Sequence, residues 1–196
     1  MLVGGSIVLE QIISDPLIVG RLRLRTRFFV KGTTRTKGSV TPICTANGKG
    51  RIKHSSADLK NWARTVYFEA VGARNRAGVC KDDGPVAVAL LFLLGRPKCH
   101  FLKDGVTLAS DAPLFHTQPK DVDKLFRAVG DALTDCLYTD DGQTIFGCQL
   151  KRWVERGEEP GVWISFATVA GARTAGDLQR EHLLLGQQAT LTRMIP

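Results

Sequence analysis

The longest apolar run in the chain, VAVALLFLL at residues 86–94, is hydrophobic at every position. It follows the turn sequence DDGP at residues 82–85. A strand that is apolar on both faces is typical of the middle of a covered sheet. The pattern therefore predicts a buried strand here, and shorter patterns predict further strands at residues 144–151 and 162–166.

Other segments carry apolar residues at intervals of three and four, the spacing of an amphipathic helix. One covers residues 58–71, and another follows Asp121. The core face of the second is formed by Leu125, Val129, Ala132, Leu133 and Cys136. A further helix is predicted at residues 175–191, whereas residues 96–120 are predicted to form a long polar loop.

These elements lie on one chain of 196 residues, a length that fits a single domain with extensions. The predicted fold class is α/β (α+β), a small mixed β-sheet packed with helices. We expect the domain core at about residues 25–167. Residues 1–24 and 168–196 are then an N-terminal and a C-terminal extension.

Positive charge is concentrated in the first third of the chain. Residues 1–64 contain 12 Lys and Arg against 3 acids, a balance of +9, whereas residues 65–196 contain 15 against 16. The formal net charge of +8 therefore comes from the first part. Four arginines alternate with other residues there, and on a strand this spacing places all four on one face. They are Arg21, Arg23, Arg25 and Arg27.

A segment rich in Gly and Thr follows and carries more cations. These cations could hold a polyanion such as a nucleic acid through phosphate contacts; they are Lys31, Arg35, Lys37, Lys49, Arg51 and Lys53. The alternative is a flexible basic loop that is only solvated.

Cysteine usage and hydropathy indicate the compartment. None of the five cysteines forms a C-x-x-C pair, which argues against a zinc site or a disulfide framework. Free thiols suit a reducing compartment. No apolar run is long enough to span a bilayer, and the N-terminus lacks the basic start of a signal peptide. We therefore expect a cytoplasmic protein with no membrane contact.

Carboxylates gather at both ends of the central helix. Asp121 and Asp123 lie at its start, and Asp140 and Asp141 follow it. Helix capping and an Asp-Gly turn are the structural explanations. The alternative is a metal site, because residues i and i+2 point the same way while Asp121 is still extended. A third carboxylate would have to be brought back beside the helix start. Oxygen ligands favour Mg²⁺ or Mn²⁺.

Two other polar residues lie near this helix. Asp131 comes four residues after Arg127, a spacing that predicts an ordinary salt bridge between them. His116 precedes Asp121 closely and is a surface or loop residue with a possible place near the site.

The segments DVDKLFRAVGDALT and LYTDDGQ follow the pattern D-x-D-[N/K]-L-x-[K/R], then D-A-L, then D-D-x-Q. This pattern resembles the RusA family of Holliday-junction resolvases, in which a lysine follows on the next strand, here Lys151. An early glycine-lysine element is echoed by Gly32, Lys37 and Gly38, with Thr34 where the family usually has proline. The resemblance covers roughly residues 28–166.

The resemblance implies a small endonuclease that acts as a homodimer on branched DNA, in bacteria or their phages. Asp121, Asp123 and Asp141 match the positions of the metal ligands. Arg127 stands where the family has a functional basic residue, often lysine; arginine keeps the charge but does not readily transfer a proton. The expected DNA-binding residues are Arg35, Lys37, Arg51, Lys53, Lys124 and Lys151.

The expected function is that of a Mg²⁺-dependent, structure-selective endonuclease that resolves four-way junctions by paired symmetric nicks, with a metal-activated water. Two alternatives stay open. One is a DNA-binding protein without catalysis, in which the acidic residues only cap and turn. The other is a nuclease for forks, flaps or duplex DNA.

Overall fold

The computed structural model describes residues 21–37, 41–44, 50–53 and 57–171 together with Asp177, and the structural statements below concern these residues. The strands are β1 (Leu22–Lys31), β2 (Thr41–Cys44), β3 (Gly50–Lys53), β4 (Val86–Leu94), β5 (Thr144–Trp153) and β6 (Gly161–Val169). The helices are α1 (Ala57–Arg76) and α2 (Val122–Leu133), with short 3₁₀ turns at Lys98–His100 and Asp141–Gln143. The helix predicted at residues 175–191 lies outside the described residues, apart from Asp177.

Four strands form one mixed sheet in the order β1-β6-β4-β5. Strand β6 is antiparallel to both β1 and β4, whereas β5 is parallel to β4. Strands β2 and β3 pair separately as an antiparallel hairpin. The sheet and its two helices confirm the predicted fold class. Strand β4 lies in the middle of the sheet, and most of its apolar side chains are buried on both faces.

The core lies on one face of this sheet, where alternate residues point inward. Val88, Leu90 and Phe92 of β4 are buried there, and residues of β1 and β6 join them. Helix α1 contributes Trp62 and Val66, while α2 contributes the predicted apolar face up to Leu133. Cys136, which was predicted on the same face, is also buried but lies beyond the end of the helix. The two helices thus cover the same core, and they fix the position of the acidic residues at the ends of α2.

The alternating arginines in and before β1 do not all lie on one face of the strand, as their spacing predicted. Arg23 lies opposite Thr168 and Arg27 lies opposite Ser165, which are on different faces of β6. The cause is a register shift between Leu24 and Thr26, because an extra residue in one strand changes the face that follows it. The prediction that all four arginines share a face is wrong. Arg27 instead stacks over the Trp163 ring, 5.0 Å from its centroid.

The ordered elements extend slightly beyond the predicted ones. Strand β1 begins at Leu22 and β6 ends at Val169, so the sheet reaches a few residues into both expected extensions. Helix α1 ends at Arg76 rather than near residue 71. None of the described helices combines the length and apolar character required to cross a membrane.

Candidate functional site

The chain enters α2 through an extended aspartate. Asp121 has φ −58° and ψ 132° and occupies the N-cap position, while Asp123 lies in the first turn. The prediction that Asp121 is still extended is confirmed. Its carboxylate accepts no capping hydrogen bond, although capping is the usual role of aspartate at this position. The helix start therefore leaves this carboxylate available for other contacts.

Both carboxylates of this pair are in ion pairs and open to solvent. Asp121 Oδ2 lies 2.7 Å from Lys124 Nζ, and Asp123 Oδ2 lies 3.9 Å from an Arg127 guanidinium nitrogen. Their side chains are 59% and 63% exposed. The hydrogen bond from Lys124 holds the pKa of Asp121 below its ordinary value. The pair is thus charged, accessible and adjacent to two cations.

Lys151 connects the end of β5 to the segment that leads into α2. Its Nζ donates to the Lys120 carbonyl oxygen at 2.8 Å and to the Gln118 carbonyl oxygen at 3.2 Å. Lys120 has φ +133°, a conformation that non-glycine residues rarely adopt and that costs of order 1–3 kcal/mol. The Lys151 ammonium therefore supports a strained residue immediately before Asp121.

Burial lowers two pKa values near this connection. Partial desolvation, together with the charge of Arg35, lowers the pKa of the Lys120 ammonium. His116 is buried against Trp153, with ring centroids 4.2 Å apart. Burial comes first in lowering the pKa of His116, and the charges of Lys151 and Lys120 add to it. His116 was expected to be a surface or loop residue. It lies in a loop but is buried, so the surface alternative is wrong, and its ring is near the charges of Lys151 and Lys120.

The loop at residues 32–37 lies along α2. The Lys37 amide donates to the Lys124 carbonyl oxygen at 3.2 Å, and the Lys37 ammonium pairs with Asp131. Arg35 lies 3.1 Å from the Asp58 carboxylate. The predicted Arg127–Asp131 bridge is therefore replaced by two pairs, because Arg127 contacts Asp123 and the nonlocal Lys37 reaches Asp131.

Thr34, where the RusA-like pattern would place a proline, is buried in this loop. Its hydroxyl has no hydrogen-bond partner within the described part of the chain. Gly32 has φ +138°, and a Cβ there would lie 3.2 Å from the Trp62 ring. Glycine is thus required at residue 32 both by its backbone conformation and by its close approach to α1. Of the predicted phosphate-binding residues, Arg51 and Lys53 have side chains that are not among those the structure describes.

The second acidic pair has a different local role. Asp140 caps the 3₁₀ turn and accepts from the Gly142 amide at 2.8 Å. Gln143 accepts from the Asp140 and Thr139 amides and donates to the Asp82 and Gly84 carbonyl oxygens. Asp141 is exposed, and no hydrogen bond or ion pair joins its carboxylate to a described residue. Asp140 is therefore structural, whereas Asp141 takes part in this turn through its backbone and leaves its carboxylate unbonded to the described residues.

Two contacts with β5, and a third with the segment that follows the end of α2, show that α2 runs antiparallel to β5. Lys151 reaches Lys120 before the helix, the Phe126 ring covers Gly147, and the Tyr138 hydroxyl donates to the Gly130 carbonyl oxygen at 2.8 Å. A helix of 12 residues is about 18 Å long. Asp121 thus lies at one end of α2, whereas Asp141 lies at the other.

The structure therefore gathers Asp121, Asp123, Lys124, Arg127 and Lys151, but it leaves Asp141 apart from them. Across the described ranges, no three His, Cys, Asp or Glu side chains lie close enough to hold a metal ion. Neither a protein-family model nor a curated protein matches this sequence. The RusA resemblance accordingly stays a prediction from the motif residues.

Proposed function

We propose that this protein is a Mg²⁺-dependent endonuclease for branched DNA, with Asp121 and Asp123 at its active site. The observation that supports this most strongly is the uncapped Asp121. Its carboxylate is at an N-cap position without the capping hydrogen bond, and it is exposed beside a second carboxylate. Helix capping does not account for this carboxylate, which instead lies in an exposed ion pair with Lys124.

The donor set of this pair fits a magnesium ion. Mg²⁺ is commonly held by one or two carboxylates, with waters and substrate phosphates as the remaining ligands. Asp121 and Asp123 supply two such carboxylates, and Mn²⁺ accepts the same oxygen donors. When bound, the ion would lower the pKa of a coordinated water and neutralise charge on the scissile phosphate.

The surrounding cations supply the charge that a DNA backbone requires. Lys124 and Arg127 are one helical turn from the two carboxylates, and their present ion pairs are partly exposed. Exposed pairs of this kind contribute about 0–1 kcal/mol, so a phosphate can displace them. An arginine side chain at position 127 would stabilise negative charge on the phosphate through its guanidinium group.

The loop cations extend this surface along α2. Arg35 and Lys37 are paired with Asp58 and Asp131, and all four side chains are partly exposed. Phosphate contacts of this type fix the position of DNA and make affinity fall with salt concentration. We expect neutralisation of these residues, with Arg51 and Lys53, to reduce the salt dependence of junction binding.

A two-fold dimer suits a four-way junction as substrate. One site hydrolyses one strand at a time, whereas resolution requires two symmetric cuts, and a homodimer provides two equivalent sites. The substrate is thus proposed as the junction, with forks, flaps and duplex DNA as competing substrates.

The test is a panel of end-labelled DNAs that share one sequence: a four-way junction, a fork, a flap and a linear duplex. Each is incubated with the protein in Mg²⁺, in Mn²⁺ or in EDTA. We expect paired nicks in the junction with either metal, none in EDTA, and little cleavage of the duplex. Binding without cleavage of any substrate in either metal would establish the DNA-binding alternative and refute the nuclease.

A further inference from the structure

The sheet has a second face, which neither described helix covers. Both helices pack on the core face, whereas the side chains of alternate strand residues point the other way. Directly paired residues of neighbouring strands share a face, so the strand register places four side chains in one row across the whole sheet. The row consists of Phe29, Trp163, Leu91 and Leu150, and each of these side chains is at least partly exposed. We call the surface around this row the open face.

Two aromatic rings lie side by side on the open face, where β1 pairs with β6. The ring centroids of Phe29 and Trp163 are 5.2 Å apart. The Phe29 ring also extends over Gly161, where an added Cβ would lie 2.5 Å from it. Trp163 is partly exposed, whereas Trp62 and Trp153 are buried. The sheet thus presents a tryptophan ring, supported by a second ring, outside the core.

Arg27 lies in the next row of the open face and covers the Trp163 ring. Its guanidinium carbon is 5.0 Å from the ring centroid, and the side chain is exposed. No ion pair joins Arg27 to a carboxylate within the described ranges of the chain. An exposed contact between a cation and an aromatic ring is weak. A planar ligand ring can therefore replace the guanidinium on Trp163, while Arg27 turns to an anionic group.

Every charged residue within the four strands of the sheet is a cation. Four lie in β1 and two in β5, and the four strand sequences contain no Asp or Glu. Carboxylates of the segment between β5 and β6 neutralise Lys31 and Arg152 at one margin. Arg25 and Arg27 are exposed on the β1 side, away from those carboxylates. This side of the open face is therefore positive and attracts a polyanion.

The ligand class that combines negative charge with accessible flat rings is single-stranded nucleic acid. Its bases stack on exposed aromatic side chains, and its phosphates bind neighbouring cations. A duplex keeps its bases stacked on one another, so it uses the cations without the tryptophan. An acidic peptide supplies charge without the rings. The exposed tryptophan and the positive strand together thus favour a single strand as the occupant.

We propose that the open face binds single-stranded DNA, with a base stacked on Trp163 and Arg27 turned to the adjacent phosphate. The choice of DNA over RNA rests on the proposed nuclease function, because branched substrates such as forks and flaps carry single-stranded arms. The surface itself lies on the face of the sheet opposite α2, whose Phe126 ring covers the other face at Gly147. It is therefore separate from the acidic site at the start of α2.

The test uses the full chain and an oligothymidylate of about 12 nucleotides, in EDTA so that no strand is cut. Intrinsic fluorescence reports stacking on Trp163, because the other two tryptophans are buried. We expect saturable quenching of this fluorescence, with an affinity that falls as salt concentration rises. Fluorescence anisotropy of end-labelled DNA gives the dissociation constant for every variant.

Trp163→Leu should weaken binding roughly tenfold or more, because it removes a base–aromatic stack. Trp163→Phe keeps a ring and should retain most of the affinity, which a merely structural role of Trp163 does not predict. Arg27→Gln should weaken binding and make its salt dependence shallower. The matched controls are Phe68→Leu and Arg64→Gln, which remove an exposed ring and an exposed cation from α1 and should leave the affinity unchanged.

Four results would overturn the proposal. They are absence of quenching by the DNA, a Trp163→Leu protein that binds as tightly as wild type, equal losses of affinity in Trp163→Leu and Phe68→Leu, and tighter binding of the matching oligouridylate. Shielding of Trp163 from acrylamide in the DNA-free protein would also overturn it, because another part of the chain or a second copy would then cover the open face. Binding is measured without cleavage, so failure of the nuclease proposal and failure of this one are distinguishable.

Discussion

The two acidic pairs at the ends of α2 are similar in sequence and different in structure. Asp140 accepts from the Gly142 amide, and Gln143 ties the same turn to the Asp82 and Gly84 carbonyl oxygens. Asp121 lies at an equivalent capping position, but its carboxylate accepts no hydrogen bond from a backbone amide of the helix start. One pair thus contains a carboxylate used to fold the chain, whereas both carboxylates of the other pair face solvent and cations.

The neighbours of each pair explain this difference. Gln143 returns to the Asp140 amide and completes a reciprocal capping box. The corresponding residue after Asp121 is Lys124, a donor without an acceptor, which draws the carboxylate into an ion pair instead. An acidic pair in a sequence therefore indicates chemistry only after the backbone contacts that each carboxylate makes are known.

The largest expected effect is on cleavage. We expect Asp121→Asn and Asp123→Asn each to lower the rate of junction nicking by roughly 10³-fold or more, since a neutral amide is a poor ligand for Mg²⁺. Junction binding should persist. Asp140→Asn is the matched control, and its effect should stay within about tenfold because the carboxamide oxygen can still accept from Gly142. Full cleavage by Asp123→Asn would exclude the first pair as the active site.

The next effect concerns stability at the other end of α2. Gln143→Ala removes four hydrogen bonds and leaves partly buried carbonyl oxygens without donors, so we expect a loss of about 2 kcal/mol in the free energy of unfolding. The measurement is urea denaturation. Asp123→Asn, tested in parallel, should change stability by less than about 0.5 kcal/mol. Equal losses of unfolding free energy in both variants would contradict the distinction between an acidic pair that stabilises the fold, at Asp140, and one that does not, at Asp123.

Lys151→Met tests whether this lysine positions the site or only binds phosphate. It removes the hydrogen bonds to Lys120 and Gln118, so the strained backbone before Asp121 loses its support. We expect a roughly tenfold lower cleavage rate at saturating protein, because small displacements of catalytic groups are costly. The salt dependence of junction binding should change little. A large change in that dependence with an unaltered rate would assign Lys151 to phosphate binding alone.

The smallest expected effect is a change in the pKa of Asp121. Lys124→Met should raise the pKa of Asp121 towards its ordinary value of 3.8, because the hydrogen bond from Lys124 is the main cause of its depression. A depressed folded-state pKa means that this contact stabilises the fold above the ordinary pKa, and that its contribution is lost as pH falls through the folded value. The measurement is a carboxyl NMR titration. Asp104, whose pKa is lowered by its own contacts with Thr107 and Val106, is the unaffected control.

The sequence predicted those elements whose pattern is local. Strand β4 is apolar at each position, and α2 repeats its apolar residues with helical spacing, so both were located correctly. The bulge in β1 had no such signal, because its arginines alternate without interruption while the register shifts. Local charge spacing predicted the wrong partner for Asp131, since the pair with Lys37 depends on how a distant loop packs.

The residues of the candidate site could be predicted from the sequence, but their backbone conformation and some of their distances could not. Asp121, Asp123 and Lys151 were chosen from the motif, and the structure places them at the start of α2. The unusual backbone of Lys120 was not predictable, because no glycine or asparagine signals a positive φ there. The distance of Asp141 from the other two aspartates depends on the direction of α2 relative to β5, which spacing does not contain.

The most direct test of the central claim is to locate a bound metal without relying on cleavage. Substoichiometric Mn²⁺ is added to isotopically labelled protein, and paramagnetic broadening of backbone amide signals is mapped. We predict the strongest broadening at Asp121 and Asp123, with competition by Mg²⁺ and loss of the effect in Asp123→Asn. Absence of broadening at Asp121 and Asp123, or a maximum at Asp140 that survives Asp123→Asn, would contradict a metal site at the start of α2.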